Sequence, residues 1–379
     1  MSNAYPSPLP DVIVIGGGIQ GCSTALHLAM RGVKVLLIEK DHVGRHASGV
    51  NAGGVRRLGR HLAEVPLSVA SMEIWHSIKD LVDDDCGFES HGQIKVAETE
   101  AEMATQRARV EQMQLLGFKH EELIGQAELR DLVPAIAPHC IGAIICRTDG
   151  AAMPYRTALA FRRKAEHLGA RFLEGVRVSD LKRVGNVWHV ETSNGAHEAP
   201  IVVNCAGAWA DRIAAKLGEP VPLEVIAPML MITARMPAFV KPVIGAQGRK
   251  LSFKQYENGT VLIGGGYRGR PNRDTNWTDL DFGQFAESCR TASSLFPIMG
   301  TAEIVRAWAG IEGRMPDDIP VIGPSSTSEG VFHAFGFSAH GFQLGPAVGR
   351  VMAELITTGA TNIPIDGLGI QRFQENLAA

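Results

Sequence analysis

The stretch Asp11–Glu39, DVIVIGGGIQGCSTALHLAMRGVKVLLIE, decides the fold. Its first β-branched run, Val12–Ile15, is typical of a buried parallel strand, and the glycines that follow satisfy the GxGxxG pattern. A small, apolar segment over 22–29 predicts a helix that Gly32 ends, and the apolar run 33–38 predicts a second strand. Strand, glycine turn, helix and strand in this order, closed by an acidic residue, predict a Rossmann-type dinucleotide-binding unit.

Each glycine of the turn has a physical role. Gly16 allows the tight turn, Gly18 lets the backbone approach a pyrophosphate, and Gly21 lets the helix pack closely on the strand. The helix N-terminus offers N–H groups and the positive end of its dipole to the phosphates. Glu39 follows Gly21 by 18 residues and is expected to accept hydrogen bonds from both ribose hydroxyls, which argues against NADP. An NAD-dependent dehydrogenase is the alternative that this fingerprint alone leaves open.

The bulk composition is that of an ordinary globular protein. Of the 379 residues, 45% are hydrophobic and 20% are charged, which predicts about two or three domains. A net charge of −3 gives no field that would favour nucleic acid or an anionic membrane. The six cysteines have no CxxC or zinc-type spacing, so no metal site is expected, and Cys22 and Cys205 are predicted to be buried thiols. Without an apolar run of membrane-spanning length or a secretory signal before the first strand, a cytoplasmic protein is expected.

The segment 41–60, DHVGRHASGVNAGGVRRLGR, is rich in small residues that can pass close to a flavin ring without side-chain clash. A flexible glycine loop is the alternative interpretation. The segment contains an S-x-x-N-A-G-G pattern made of Ser48, Asn51, Ala52, Gly53 and Gly54. In this pattern the chain resembles the D-amino-acid oxidase superfamily of FAD-dependent enzymes, which includes glycine oxidase and sarcosine oxidase. The resemblance implies that the dinucleotide is FAD.

Further segments extend the resemblance over the chain: 169–178, 201–210 and 335–349. In the family, the first passes the adenine and the second approaches the pyrophosphate. The third places a helix N-terminus at the pyrimidine end of the flavin, where the dipole stabilises negative charge. The FAD-contacting residues implied by the N-terminal unit and by these matches are Gly16, Gly18, Ile19, Gln20, Gly21, Glu39, Lys40, Ser48, Asn51, Ala52, Gly53, Gly54, Val178, Ala206, Gly207, Trp209, Gly310, Gly336, His340, Gly341, Phe342 and Gln343.

The resemblance implies an α/β fold with two domains. A Rossmann-like FAD-binding domain would be assembled from the discontinuous segments 1–85, 145–225 and 320–379. An α+β substrate domain with a mixed or antiparallel sheet would comprise 86–144 and 226–319. The hydrophobic pattern itself predicts helices over 63–82, 99–117 and 156–168 and strands over 227–232 and 259–264.

The reaction implied by the resemblance is oxidation of the C–N bond of an amino acid or secondary amine, of the D-amino acid, D-hydroxyproline, sarcosine, glycine or opine type. A hydride leaves the carbon next to nitrogen for flavin N5, and the resulting imine hydrolyses. The motifs are most similar to those of opine oxidase B subunits, hydrogen cyanide synthase and the β subunits of proline and D-hydroxyproline dehydrogenases. Such proteins often work with small iron–sulfur or nucleotide-binding subunits, and this chain has no iron–sulfur cysteine spacing. The alternative is therefore a flavin-bearing subunit that is active only in a hetero-oligomer.

The segment expected to anchor the substrate departs from the family pattern. Where the family has a carboxylate-binding arginine in G-L-R-P-x-T-P-D-G-x-P, residues 310–320 read GIEGRMPDDIP, with Glu312 in place of that arginine. Glu312 contacts either a cationic or hydroxylated part of the substrate or, as the favoured interpretation, a neighbouring arginine, Arg306 or Arg314. The candidates for the substrate carboxylate are Arg56, Arg57, Arg249, Arg268 and Arg314, of which Arg56 and Arg314 lie in flavin-adjacent motifs.

Two further side chains are candidates for the chemistry. His340 lies in the glycine-rich turn and either hydrogen-bonds the flavin or substrate or serves in packing. Lys254 could assist oxygen reduction above the flavin, as in sarcosine-oxidase-like relatives, although a solvated lysine is the favoured interpretation. Some relatives attach FAD to a histidine where this chain has Val50 and Asn51, and others to a cysteine near the C-terminus, whereas here no cysteine follows Cys289. Non-covalent FAD is therefore expected.

Overall fold

The computed structural model describes residues 9–374. Within them the strands, β1 to β22 in chain order, are Val12–Ile15, Val35–Ile38, Gly54–Val55, Gln93–Ala97, Glu122–Gly125, Gly142–Cys146, Gly150–Ala151, Arg171–Leu173, Val178–Val184, Val187–Thr192, Gly195–Ala199, Ile201–Asn204, Glu224–Thr233, Val243–Ala246, Ser252–Gln255, Val261–Gly264, Arg268–Asn272, Trp277–Asp279, Ile304–Ala309, Glu312–Arg314, Val321–Pro324 and Val331–Phe335. The helices, α1 to α11, are Ile19–Ala29, Ala47–Val50, Val65–His76, Ile78–Val82, Glu100–Leu115, Gln126–Leu132, Pro154–His167, Ala210–Lys216, Phe282–Leu295, Gly341–Thr358 and Gln371–Gln374. Short 3₁₀ helices span Leu62–Glu64, Gly207–Trp209 and Pro297–Thr301.

A six-stranded sheet carries the N-terminal unit. Its order is β21-β22-β12-β1-β2-β8, and all neighbouring strands are parallel except β21 and β22. The residues of β1 and β2 are all buried, as expected for parallel strands covered on both faces. Helix α1 packs against α7 and α10 on one face, and the small antiparallel sheet β9–β11 contributes to the core on the other. The predicted Rossmann-like α/β fold is confirmed.

An eleven-stranded, mostly antiparallel sheet forms the second layer, with only β4 and β14 running parallel. Its core includes Phe253 and Phe296, whose rings stack at 4.6 Å. The strands predicted over 227–232 and 259–264 correspond to β13 and β16. The helix predicted over 63–82 is divided into α3 and α4 at Ser77, where the backbone leaves helical geometry.

The strands of the six-stranded sheet all lie within 1–85, 145–225 and 320–379. The strands of the larger sheet lie mainly in 86–144 and 226–319, although β6 and β13 each cross one of these boundaries by two residues. The division into an FAD-binding and a substrate domain stays a prediction. All six cysteines are free thiols, and the predicted burial of Cys22 and Cys205 is confirmed. Over residues 9–374, no helix has both the length and the apolar character needed to cross a bilayer.

Candidate functional site

A cavity of about 730 Å³ lies between the two large sheets. The carboxyl ends of β1, β2, β12 and β22 form one wall, and residues of the eleven-stranded sheet form the opposite wall. Ligands of open α/β sheets bind outside the carboxyl ends of the parallel strands. The volume lies in the range of ordinary cofactor and ligand sites. The cavity is therefore the candidate active site.

The glycine turn after β1 is shaped by backbone contacts that exclude side chains. Gly16 has φ +109°, and a Cβ there would lie 2.4 Å from the carbonyl oxygen of Cys205. A Cβ at Gly21 would lie 1.9 Å from the carbonyl oxygen of Gly16, so helix α1 starts directly against the turn. Gly18 caps α1 and lines the cavity beside Ser48, whose hydroxyl accepts the Ile19 N–H at 2.9 Å. Any larger residue at Gly16 or Gly21 would displace the backbone that forms the cavity wall.

Glu39, at the end of β2, has both carboxylate oxygens engaged by the main chain. One accepts the Gly17 N–H at 2.6 Å and the other accepts the Asp41 N–H at 2.8 Å. Burial raises the pKa of Glu39, and these hydrogen bonds act in the opposite direction. Beside it, the Lys40 ammonium lies 4.0 Å from the centre of the Trp209 ring and donates to Asn276 at 2.8 Å. Both Glu39 and Lys40 line the cavity, so this end presents a fixed carboxylate flanked by a partnered cation.

The predicted flavin-contacting loop bends through its own hydrogen bonds. The side-chain oxygen of Asn51 accepts the Gly53 N–H at 2.7 Å, and its amide donates to the carbonyl of Ala47 at 2.9 Å. Gly53 has φ +70° and packs against the backbone of Ala152, where a Cβ would approach to 2.2 Å. Of the five loop residues predicted to contact FAD, all but Gly53 line the cavity: Ser48, Asn51, Ala52 and Gly54.

The first turn of α10 and the loop before it form part of the cavity wall. Gly336, Gly341 and Phe342 line the cavity, and their contact with the flavin stays a prediction. Gln343 differs, because its side chain is fully buried toward α3, where its oxygen accepts from Ser68 at 3.0 Å and its amide donates to the Ser68 carbonyl at 2.9 Å. We therefore correct the prediction for Gln343: its side chain joins α10 to α3 and does not reach the cavity.

His340, which caps α10, is bonded to a buried acid. Its Nδ1 lies 2.9 Å from the carboxylate of Glu64, a fully buried residue. Burial and the nearby Arg60 charge lower the pKa of His340 to about 4, so at neutral pH the ring is uncharged and donates from Nδ1. Burial raises the pKa of Glu64, but the His340 hydrogen bond and neighbouring arginines outweigh it and lower the pKa overall. His340 thus positions the first turn of α10 through Glu64.

Lys254 is buried, which corrects the favoured expectation of a solvated lysine. It is 5% exposed on β15, an interior strand of the larger sheet, and its Nζ has no hydrogen-bond partner in the described part of the chain. The Lys254 Nζ lies 4.7 Å from the centre of the Tyr256 ring and is one of the atoms that a Cβ at Gly53 would contact. Burial lowers the pKa of Lys254 to about 7.

Glu312 also departs from the favoured interpretation, since it pairs with neither Arg306 nor Arg314. Arg314 pairs instead with Glu224 at 2.9 Å and with Asp318 at 2.6 Å. One carboxylate oxygen of Glu312 accepts the Ala339 N–H at 2.6 Å, and burial raises its pKa to about 7. Glu312 lines the cavity without a cation at ion-pair distance among residues 9–374.

The candidate arginines divide into engaged and unengaged side chains. Arg57 lies 3.6 Å from Asp149, Arg249 pairs with Glu98 at 2.6 Å, and Arg268 lies 3.3 Å from Glu224. Arg56 lines the cavity, donates to the carbonyl of Leu58 at 2.6 Å and forms no ion pair within the described chain. Of these arginines, Arg56 is the one that faces the cavity with its charge unpaired.

Two further cations of the cavity were not predicted from the sequence. Arg60 is 2% exposed; its Nε donates to the Arg56 carbonyl at 3.1 Å, and its Nη1 lacks a partner among the described residues. Lys95 on β4 lines the cavity, and burial together with the Arg56 charge lowers its pKa. Alternating side chains along β4 could have predicted Lys95. Ile94 and Val96 are fully buried, so Gln93 and Lys95 lie on the opposite face of the strand, which lines the cavity.

Comparison with known proteins identifies the family. Residues 11–355 match the model of the DAO family, described as FAD dependent oxidoreductase. The chain belongs to this FAD-dependent oxidoreductase family. Its cofactor is FAD, and the residues of the cavity fit that cofactor. The glycine turn brings backbone without side chains to the position expected for the phosphates, and Glu39 is held where it can accept hydrogen bonds from ribose hydroxyls. The buried side-chain oxygen of Gln20, which lines the cavity, has no partner among residues 9–374 and is free to accept a hydrogen bond from the cofactor.

Relatives of this family member span most of the chain. It is 27% identical to mitochondrial sarcosine dehydrogenase of Mus musculus over 98% of this chain and 42% of that protein, so it spans less than half of that relative. It is 25% identical to the beta subunit of sarcosine oxidase from Rhodobacter capsulatus over 98% of this chain and 91% of that protein. The crystal structure of L-proline dehydrogenase from P. horikoshii superposes with a TM-score of 0.91 at 29% identity, covering 97% of this chain and 98% of that one.

Proposed function

We propose that this flavoprotein oxidises the C–N bond of an amino acid or a secondary amine that carries a carboxylate. The observation that supports this most strongly is a set of buried or half-buried cations that line the cavity without an ion pair among residues 9–374: Arg56, Arg60 and Lys95. Unpaired charges in a buried site are costly, so such a set favours an anionic ligand. The names of the relatives, which include sarcosine, proline and glycine enzymes, agree with a small carboxylated amine.

Bound FAD supplies the two-electron chemistry by accepting a hydride. The protein orients the substrate. Arg56 is suited to hold the carboxylate because its guanidinium can bond both oxygens at once, and Lys95 adds a second charge from β4. Two buried acids fix the loop that carries Arg56: Asp149 accepts the Arg57 N–H at 2.8 Å, and Glu121 accepts the Gly59 N–H at 2.7 Å.

The test is anaerobic addition of candidate substrates to the FAD-loaded protein: D-amino acids, D-hydroxyproline, sarcosine, glycine, proline and opines. At least one is expected to bleach the yellow flavin absorbance. The amine that lacks only the carboxylate, such as pyrrolidine for proline, is expected to leave the flavin oxidised at the same concentration. If the whole panel leaves the flavin oxidised, the proposal is wrong.

A second candidate is a flavin subunit that turns over only with partner chains. It is favoured by relatives whose names designate subunits, such as that of opine oxidase from Rhizobium meliloti, 24% identical over 97% of this chain. Any iron–sulfur centre would then reside on a partner, because the described cysteines are dispersed and form no group that could hold a metal. This candidate predicts rapid bleaching by substrate but very slow reoxidation by oxygen. Fast peroxide production by the isolated chain would count against it.

A further inference from the structure

Glu312 is an uncompensated acid in a cavity whose lining is otherwise mainly basic. The acidic residues of the lining are Glu39, Glu312 and Asp318. Glu39 is occupied by main-chain amides, and Asp318 is paired with Arg314. Arg268, whose charge acts to lower the pKa of Glu312, is itself directed to Glu224 at 3.3 Å. The Glu312 carboxylate is therefore the negative charge that this end of the cavity leaves without a counter-charge among the described residues.

The backbone holds this carboxylate in one place. Its Oε1 accepts the Ala339 N–H at 2.6 Å, and Ser338 and Ala339 both have positive φ, +50° and +69°. Left-handed backbone at a residue other than glycine costs free energy and persists only where its surroundings fix it. The Ser338 hydroxyl supplies that restraint by accepting the Met315 N–H at 3.1 Å, which ties the loop before α10 to the segment after β20. With Oε1 engaged, Oε2 is left to a ligand.

We propose that Glu312 binds the protonated nitrogen of the substrate and accepts its proton; this deepens the proposed function and rests on it. An N–H bond of the ammonium breaks, an O–H bond forms at Oε2, and the electron pair stays on nitrogen. That pair is needed to form the C=N bond when the adjacent carbon gives up its hydride. A carboxylate whose pKa lies near neutrality is better matched to this transfer than an ordinary one.

The test compares two ligands in FAD-loaded wild type and in Glu312→Gln. One ligand is the panel member that bleaches the wild-type flavin, and the other is cyclopentanecarboxylate, which has a carboxylate but no nitrogen. The glutamine side chain would keep an acceptor for the Ala339 N–H, so the loop is expected to hold. The control is Glu303→Gln, which changes an exposed acid directly before β19 that does not line the cavity.

The expected result is a rise in the apparent dissociation constant and KM of the amine by about tenfold or more, the order expected when a charged hydrogen-bond partner is lost. The affinity for cyclopentanecarboxylate and the FAD content should stay unchanged, as should every constant in Glu303→Gln. Equal weakening of both ligands, or an altered flavin spectrum with unchanged amine affinity, would overturn the assignment of Glu312.

If Glu312→Gln retains less FAD than wild type, the same ratio is measured in Glu312→Asp. The shorter side chain keeps the charge but withdraws it, so the amine is expected to weaken more than cyclopentanecarboxylate, and an unchanged ratio overturns the proposal. Failure of the proposed function is distinguishable, because in that case no amine bleaches even the wild-type flavin.

Discussion

The two ends of the cavity treat charge in opposite ways. At the Glu39 end, main-chain amides hold each carboxylate oxygen in place, and Lys40 is bonded to its own neighbours; we call this the finished end. Elsewhere in the cavity lining, Arg56, Lys95 and Glu312 have no counter-charge at ion-pair distance within the described chain, and we call these three positions together the open end. Where the ligand offers hydroxyls, the fold supplies rigid acceptors that are already in place. Where the ligand itself carries charge, the protein presents side chains of the opposite charge that have no counter-charge among the described residues.

The largest effect is expected from damage to the finished end. In Gly21→Ala, the new Cβ would lie 1.9 Å from the Gly16 carbonyl oxygen, so α1 must move away from the turn. We expect FAD affinity to fall by more than about a hundredfold, since overpacking against backbone costs about 3 kcal/mol. The measurement is the flavin-to-protein absorbance ratio after dialysis. Gly300→Ala, where a Cβ would meet nothing within 4 Å, is the control; equal FAD loss in both would refute this explanation.

Removal of a charge from the open end should leave FAD in place. For Arg56→Met we expect the affinity for a substrate carboxylate to drop about thirtyfold or more, because losing one partner of a buried charge pair costs at least about 2 kcal/mol. Titration of the flavin spectrum with cyclopentanecarboxylate measures it. Arg57→Met is the matched control, since Arg57 is directed to Asp149 and Thr148. An equal loss in the control would show that the loop, not the Arg56 charge, matters.

A milder change at the finished end is Glu39→Gln. The amide keeps one acceptor but loses the charge that receives the Gly17 and Asp41 N–H groups. FAD affinity should fall about tenfold, corresponding to about 1.4 kcal/mol for a charge-assisted hydrogen bond. Cyclopentanecarboxylate should bind the remaining FAD-loaded protein as it binds wild type. A change in that affinity would mean that the two ends are coupled.

The smallest expected effect concerns Lys254, whose pKa is lowered by burial from 10.5 to about 7. Between these values the unfolded chain binds more protons than the folded one, so stability rises with pH by at most about 1.4 kcal/mol per unit. Lys254→Met should flatten this rise, whereas Lys250→Met, at an exposed position, should not. Urea unfolding midpoints of the FAD-loaded proteins between about pH 7 and about pH 9 measure the slope. Identical slopes in all three proteins would contradict the lowered pKa of the buried Lys254.

The finished end could be predicted from sequence because local chain geometry determines it. Gly16, Gly21 and Glu39 have fixed spacing within one strand–helix–strand unit, and each lies where that unit requires. The loop residues Asn51 and Gly54 likewise lie within a short local motif. Such positions depend on backbone conformation, which a sequence pattern specifies directly.

The open end could not be predicted because partners distant in sequence determine it. Arg314 is neutralised by Glu224, 90 residues away, and Gln343 is drawn into α3 by Ser68, 275 residues away. The burial of Lys254 follows from the neighbours of β15 in the larger sheet. The position of Lys95 could have been predicted from the sequence. Apolar and polar residues alternate along β4, so recognising the strand assigns Lys95 to its polar face.

The most direct measurement is a crystal structure of the FAD-loaded protein with cyclopentanecarboxylate. In the predicted structure the FAD ribose hydroxyls donate hydrogen bonds to Glu39, and the ligand carboxylate lies within hydrogen-bonding distance of Arg56 and Lys95. Glu312 faces the unsubstituted carbons of the cyclopentane ring. A carboxylate bound instead to Arg314 at the rim, or FAD ribose away from Glu39, would contradict the assignment of the two ends.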